Sequence, residues 1–559
     1  MKKTHFMAFL FTFALALPMP AVAELAPTQA MLKGKIEAQN NVDKMLLAEL
    51  QSANYTLDNP FIIVDPYGES PLTAMVLFKT KEPMRISIEV LGDTKNDTIH
   101  FDFEDYEIEH SIPIYGLYPD RMNKVTLTAE SKSGKKASHV MNVETSAIPE
   151  RLNDVRILAK TFNPEKYASG INFVSDNVYC TAFDSAGAWR WALTSQDYKP
   201  AKSSLAYPSG KTGFFFGIMG DVKDETYVLE FNPFGKILHA YHLNYKTHHE
   251  LELTEQNTLI IGAYNPKTPD IVEDYILEMD LSTGIILRDL DYKDMLDHGR
   301  HSGLVYLPHD WIHNNSLASY GKDDIVMSGN YQSLIMRHNW NKEIKWILGD
   351  PHGLLGIYDE YMLKPIGENF EYAYNHHAVD ILGDLDNNPD TMDIMLFDNG
   401  MSRFALDDKV QALASDELPP YLYSRLVHYR INEKDMTVEQ IWEYGKDKPE
   451  LYSDWRGDAD LLPNGNIIGA FDLVKELRQM GRHNPANAKY IQGRAMHDRT
   501  VNRTSTLVEV MPNKQEVWQA MIHVNSLRNM CVYRVERMDI YTENAKDLRL
   551  GEKAKILGQ

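Results

Sequence analysis

The chain has 559 residues, 43% hydrophobic and 24% charged, values of an ordinary folded protein rather than a disordered or membrane-embedded one. Its 79 acidic against 57 basic side chains leave a formal net charge of −22, which argues against nucleic acid and anionic membranes as partners and obliges any anionic ligand to find a local cationic site. With two cysteines, Cys180 and Cys531, it is not a disulfide scaffold.

The N-terminus reads as a secretory leader. Lys2 and Lys3 form a basic start, an apolar run extends from Phe6 to Leu17, and Ala21-Val22-Ala23 is a small-residue cleavage site before Glu24. That run is too short to span a bilayer, and no later apolar run reaches about 18 residues, so a periplasmic protein with a signal peptide over 1–23 is expected.

Residues 24–150 divide into two parts. Met31, Ile36, Val42, Met45, Leu46 and Leu50 recur at helical spacing over about 26–52. Short alternating runs such as Ile86-Ser87-Ile88-Glu89-Val90 and Val125-Thr126-Leu127-Thr128-Ala129 then predict a small β-sandwich ending at a linker near Ile148-Pro149.

From about residue 151 to 540 a hairpin unit recurs, each turn rich in Asp, Asn or Gly. The turns are Phe183–Gly187, Phe231–Gly235, Met279–Gly284, His338–Lys342, Ile431–Asp435 and Val510–Lys514. Six such units, in a chain with 30 tyrosines, predict an all-β fold, a six-bladed β-propeller, followed by a charged peripheral tail over 541–559.

Histidines sit at one position of successive units. His248-His249-Glu250, His313-Asn314-Asn315 and His376-His377-Ala378 each open a strand. Equivalent strands of a propeller converge on the centre, so these imidazoles are expected to meet, where they could supply a nucleophile, a proton donor and charge stabilisation for an anionic ester. Competing motifs fail. Ser209-Gly210-Lys211-Thr212 lacks the first glycine of a P-loop, since Leu205 stands there. Asp384-Leu385-Asp386-Asn387-Asn388 lacks the glycine and the final glutamate of a calcium loop and reads as an acidic hairpin turn.

Together with Asn59-Pro60-Phe61-Ile62-Ile63-Val64-Asp65-Pro66-Tyr67-Gly68, the Asp310–Leu317 run, Trp346-Ile347-Leu348-Gly349 and Phe397-Asp398-Asn399-Gly400 with Arg403, these residues resemble the bacterial aryl-sulfate sulfotransferases. The resemblance implies an N-terminal β-sandwich, a six-bladed propeller, a homodimer, and ping-pong transfer from a phenolic sulfate donor to a phenol acceptor without nucleotide, metal or other cofactor. It makes His376 the sulfated nucleophile, with Asn375-His376-His377-Ala378 matching the family's Gln-His-Thr-Ala. His249 and His313 become proton-transfer partners and Asn315 a sulfate ligand. The family's active-site arginine is replaced by Asn330 in Ser328-Gly329-Asn330-Tyr331-Gln332, and Arg456, at the matching place of a later unit, is the candidate substitute cation, a surface-loop arginine paired with Asp454 or Asp458 being the alternative.

Two other readings stay open: a metal-dependent hydrolase or lyase with His249, His313 and His376 as ligands, and a non-catalytic binding propeller. Because propellers close by pairing strands from their two ends, a Cys180–Cys531 disulfide is a further expectation, two buried thiols being its alternative. N-terminal sequencing of protein recovered from the periplasm should begin at Glu24; recovery with residues 1–23 attached would overturn the leader reading.

Overall fold

The computed structural model describes residues 27–52, 54–152, 155–175, 180–194, 207–209, 214–221, 225–268, 271, 273–299, 310–400, 403, 423–453, 456–473, 503–524, 532–542, 545 and 548–558. These form many β-strands and one long helix. The expected leader, Cys531, and Gly210 to Thr212 of the P-loop-like run lie outside the described residues, while Cys180 is buried.

The helix spans Pro27–Ser52. Its buried stripe is Leu32, Ile36, Gln39, Asp43, Leu46 and Leu50, a run of alternating four- and three-residue steps that keeps one face on the core. Met31 and Met45, counted with the apolar face from sequence, are exposed instead. Both lie one position before a buried leucine, and a step of one residue turns a helix by about 100°.

A six-stranded sheet follows, organised on the long strand Ala74–Val90. Its first half pairs with Phe61–Val64 and Glu107–Ile114. Its second half pairs with Ile99–Asp102 and Met122–Ser131, which in turn pairs with Lys136–Glu144. The register shifts between Lys79 and Met84, so one strand serves two sets of neighbours.

Six further sheets come next. Their first strands are Arg534–Met538, Tyr207–Ser209, Thr247–Leu253, Asn314–Tyr320, His377–Gly383 and Asp458–Leu461. Each continues through three more antiparallel strands. All six turns picked out in the sequence join the last two of these strands. The third, fourth, fifth and sixth first strands and Arg534–Met538 each touch the next in that order. Both ends of the segment are pinned: Val155–Thr161 adds to the outer edge of the sixth sheet, and Arg534–Met538 completes the first.

The tail is not peripheral. Lys555–Gly558 adds a parallel strand to Ile237–Leu243. Tyr541 is buried, accepting from Tyr115 N–H at 2.6 Å and donating to Pro113 O at 3.0 Å. Apolar and aromatic side chains such as Tyr541 and Leu548 offset the tail's charge by packing into the N-terminal core.

Asp43 ties four segments together. It accepts from Tyr67 Oη at 2.7 Å, Lys236 Nζ at 2.8 Å and Gly551 N at 2.9 Å, while Lys236 Nζ also donates to Leu548 O at 3.1 Å. Both charges are sealed from water, Asp43 at 0% and Lys236 at 2% exposure. Removing one partner strands the other charge, so Asp43→Ala should cost about 3–5 kcal/mol in urea-unfolding measurements. A loss under about 1 kcal/mol would show that the pair is not a structural node.

Candidate active site

The entries to four successive first strands share a backbone feature. His249 (φ 37°), His313 (φ 52°) and Arg456 (φ 55°) lie in the left-handed region, and Asn375 and Ala378 (both φ 51°) flank the His376–His377 pair. The register of the strands at 247, 314 and 377 also shifts at these entries. An extra residue with positive φ re-aims a side chain out of the regular alternation.

The re-aimed groups gather. The rings of His249 and His313 are 4.9 Å apart, and Tyr533 lies 6.0 Å from both His249 and His377. The Arg456 guanidinium is 5.8 Å from the Tyr533 ring centroid and 3.9 Å from Asp472 Oδ2. His313 stacks on Tyr331 at 4.4 Å. Tyr533 Oη is buried with no hydrogen-bond partner among the described residues.

Glu273 enters from the loop before the third strand of the third sheet. Its carboxylate contacts His313 Nδ1 directly and stands 3.8 Å from His249 Nδ1, while Asp310 holds the same His313 nitrogen at 3.0 Å. Burial disfavours the His313 imidazolium, but these two carboxylates outweigh it and hold its pKa well above the ordinary value. Burial opposes the Glu273 carboxylate too, yet His313 and His249 keep it below the usual carboxylate range. His249, carrying the burial cost beside other imidazoles, is pushed well below the ordinary value.

The two adjacent histidine pairs behave alike. His248 is set back into its sheet, Nε2 against Ala263 O at 3.0 Å, and Gly262 leaves the room: a Cβ there would lie 2.7 Å from His248 O. His249 faces the cluster. In the second pair His376 is set back. Its Nδ1 meets Ser328 Oγ at 2.7 Å, and its Nε2 is buried with no partner among the described residues. Burial lowers its pKa to about 4. His376, given the nucleophile's place by the resemblance, is thus not brought into the ring cluster; His377 is. Burial first, then the charges of His313, His376 and Arg456, hold His377 down to about 3, with the Asn399 hydrogen bond opposing.

Asn315 and Asn330, expected to bind substrate, both donate to His376 O at 3.0 Å, and Asn330 also donates to Asn375 O at 2.8 Å. Their amides hold the backbone of the histidine pair. Arg456 approaches the cluster from the sixth sheet; Asp454, one of its two expected alternative partners, lies outside the described residues. The other, Asp458, instead accepts from the backbone N–H groups of Ala459 and Val535.

The Phe397-Asp398-Asn399-Gly400 motif acquires a role for each residue. Phe397 pairs with His377. Asp398 accepts from Tyr374 N, Arg403 and Arg425 at 2.7–2.9 Å. Asn399 Oδ1 meets His377 Nδ1 at 2.7 Å. Gly400, at φ 74°, has no room for a Cβ, which would fall 2.2 Å from Tyr423 O. The Asp384–Asn388 run is an acidic turn, Asn388 N capped by Asp384 at 2.9 Å.

Among the described residues two groups could hold a cation. His249, Glu273 and His313 present ligand atoms within 4.8 Å of one another, as do Asp458 and Asp460 of the sixth first strand with Glu536 of Arg534–Met538. In the first group Glu273 and His313 already engage each other; His376 belongs to neither. Glu273, Tyr533 and Asn399 are the centre's residues that sequence reasoning did not single out. Only Asn399 carried a signal, its place in the Phe397–Gly400 motif.

Residues 156–534 match the arylsulfotransferase (ASST) family, and residues 61–146 match the arylsulfotransferase Ig-like domain. The chain is 26% identical to the arylsulfate sulfotransferase AssT of Escherichia coli over 532 aligned positions, covering 74% of this chain and 86% of that one. The AssT of Lelliottia amnigena is 24% identical, covering 75% and 86%. A streptogramin B lyase structure overlaps 69% of this chain and 94% of its own at 12% identity, with a TM-score of 0.28. Among the described residues no helix is long and apolar enough to cross a membrane. With a family match that spans every strand contributing to the histidine cluster, the chain belongs to the arylsulfotransferases and is an enzyme of the arylsulfate sulfotransferase type.

Proposed function

We propose that this protein moves a sulfuryl group from a phenolic sulfate ester to a phenol by a ping-pong route, with one imidazole of the His376–His377 pair carrying the group between the two half-reactions. The fold that supports it is a six-bladed β-propeller, read from six sheets, five of whose first strands touch in succession, with the ends closed by Val155–Thr161 and Arg534–Met538. The carrying observation is the meeting of His249, His313, His377, Tyr533 and Arg456 at the entries of these strands.

In the first half-reaction an imidazole nitrogen bonds to sulfur as the sulfur–oxygen ester bond breaks. The departing phenolate oxygen takes the proton of the His313 imidazolium. In the second, the acceptor phenol gives its proton to neutral His313 while its oxygen bonds to sulfur and the nitrogen–sulfur bond breaks. Arg456 supplies the fixed positive charge for the sulfuryl oxygens, in a site whose burial strengthens such contacts. The donors and acceptors are small phenolic molecules, and Tyr331 and Tyr533 offer aromatic walls beside the reacting atoms.

Turnover of an aryl sulfate should require a phenol acceptor. Arg456→Ala should lower kcat/KM by on the order of a hundredfold; a wild-type value would remove Arg456 from the site. Exhaustive chelation should leave transfer intact. Loss on chelation with recovery on adding a divalent ion would favour the metal reading at His249, Glu273 and His313.

The acid role of His313 sets a pH dependence. Its raised pKa keeps it charged through neutral pH, so donor cleavage is lost only as pH rises through that value. Glu273→Gln removes the main attraction that favours the imidazolium, lowers its pKa, and should move the alkaline fall of single-turnover donor cleavage to lower pH. An unmoved profile would mean that His313 is not the acid.

A further inference from the structure

His377 and Asn399 form a hydrogen-bonded pair at the entry of the fifth first strand. The side-chain amide of Asn399 has a fixed orientation. Its Nδ2 donates to Ser453 O at 3.0 Å and to Arg456 O at 2.6 Å. Rotating the amide would set Oδ1 against two carbonyl oxygens, so Oδ1 must face His377. An amide oxygen only accepts, so the proton of neutral His377 resides on Nδ1, which donates to Asn399 Oδ1 at 2.7 Å; Asn330 Nδ2, 3.4 Å from the same nitrogen, directs its two hydrogens to Asn375 O and His376 O instead. The lone pair is thereby assigned to Nε2.

No hydrogen bond to that nitrogen is found among the described residues, and His377 keeps 8% exposure where His376 keeps 1%. The nitrogen belongs to a ring that lies 6.0 Å from Tyr533 and feels the charges of His313 and Arg456. The two nitrogens of His376 are differently disposed. Nδ1 is tied to Ser328 Oγ and Nε2 is enclosed, so neither can meet a sulfur atom while the surrounding backbone stays as it is. The parallel with His248 and His249 supports the same choice: in both pairs the first ring anchors and the second is presented.

We propose that Nε2 of His377, not His376, is the sulfur-accepting atom, and that Asn399 is the positioning residue that fixes its tautomer and carries the Nδ1 proton through the reaction. The inference rests on the sulfotransferase reading. As the Nε2 lone pair forms the bond to sulfur, the sulfur–oxygen bond breaks and its electron pair leaves on the phenolate oxygen. The imidazole gains positive charge, and Nδ1–H, unable to be shed, donates more strongly to Asn399 Oδ1. Asn399 therefore favours the adduct as well as the attack. Return of the sulfuryl group to a phenol restores the lone pair to Nε2.

The test uses the full-length protein and 4-nitrophenyl sulfate without acceptor, quenched and peptide-mapped by mass spectrometry. The sulfuryl increment should map to His377. His377→Asn should form no adduct, while His376→Gln, slowed by its disturbed packing, should still be labelled at 377. An adduct on His376, or labelling in His377→Asn, overturns the assignment; wild-type enzyme that cleaves no aryl sulfate at all would instead sink the sulfotransferase reading. For Asn399, Ala should slow adduct formation by about a hundredfold, as for loss of a group orienting a catalytic imidazole. Asn399→Asp keeps the acceptor for Nδ1–H but loses both donations to Ser453 and Arg456. Recovery of most of the rate in Asp identifies the tautomer role. Asp as slow as Ala, with circular dichroism unchanged in both, would mean that Asn399 only holds the loop.

Discussion

The centre of this enzyme depends on a backbone constraint. At the entries of four successive first strands the chain is driven into left-handed conformations at His249, His313, Asn375, Ala378 and Arg456, none of them glycine. Each such residue costs roughly 1–2 kcal/mol, so together they approach the net stability of an ordinary domain. The surroundings must over-determine these positions for them to persist. They do so with buried hydrogen bonds: Asn314 N and Nδ2 both donate to Glu273 O, Asn330 and Asn315 hold His376 O, and Asn399 Nδ2 holds the carbonyl of Arg456. The polar residues packed around the histidines are largely the hardware that keeps the strands bent.

That division explains what could be seen in the sequence. Turns were legible because a tight hairpin demands Gly, Asn or Asp at particular places, and all six fell between the last two strands of successive sheets. Histidines at matching positions were legible because the repeat is periodic. The family resemblance was legible in motifs that the structure resolves residue by residue, as in Phe397-Asp398-Asn399-Gly400.

Direction within a motif was not legible. Adjacent residues on a strand entry that contains positive φ no longer alternate simply, so nothing in Asn375-His376-His377-Ala378 says which ring is presented. Asn315 read as a ligand through the family resemblance and Asn330 through its place at the family's arginine; the structure commits both to a carbonyl of their own chain. Glu273 could not be found by spacing, since it arrives on a loop of the third sheet and acts on a histidine of the fourth. The helix face was misread at Met31 and Met45 because hydrophobicity alone does not separate a buried stripe containing Gln39 and Asp43 from its apolar neighbours.

The wall of the centre formed by Tyr533 immediately precedes Arg534–Met538, the strand that completes the first sheet. The histidines lie far earlier in the chain, so the site is unfinished until the last part of the polypeptide has come back to meet the first. A chain interrupted before that point would carry every imidazole and still lack the aromatic surface they share with it. On the proposed reading, completion of the site is tied to completion of the chain: a product ending before Tyr533 lacks both the ring that His249 and His377 share and the strand that completes the first sheet.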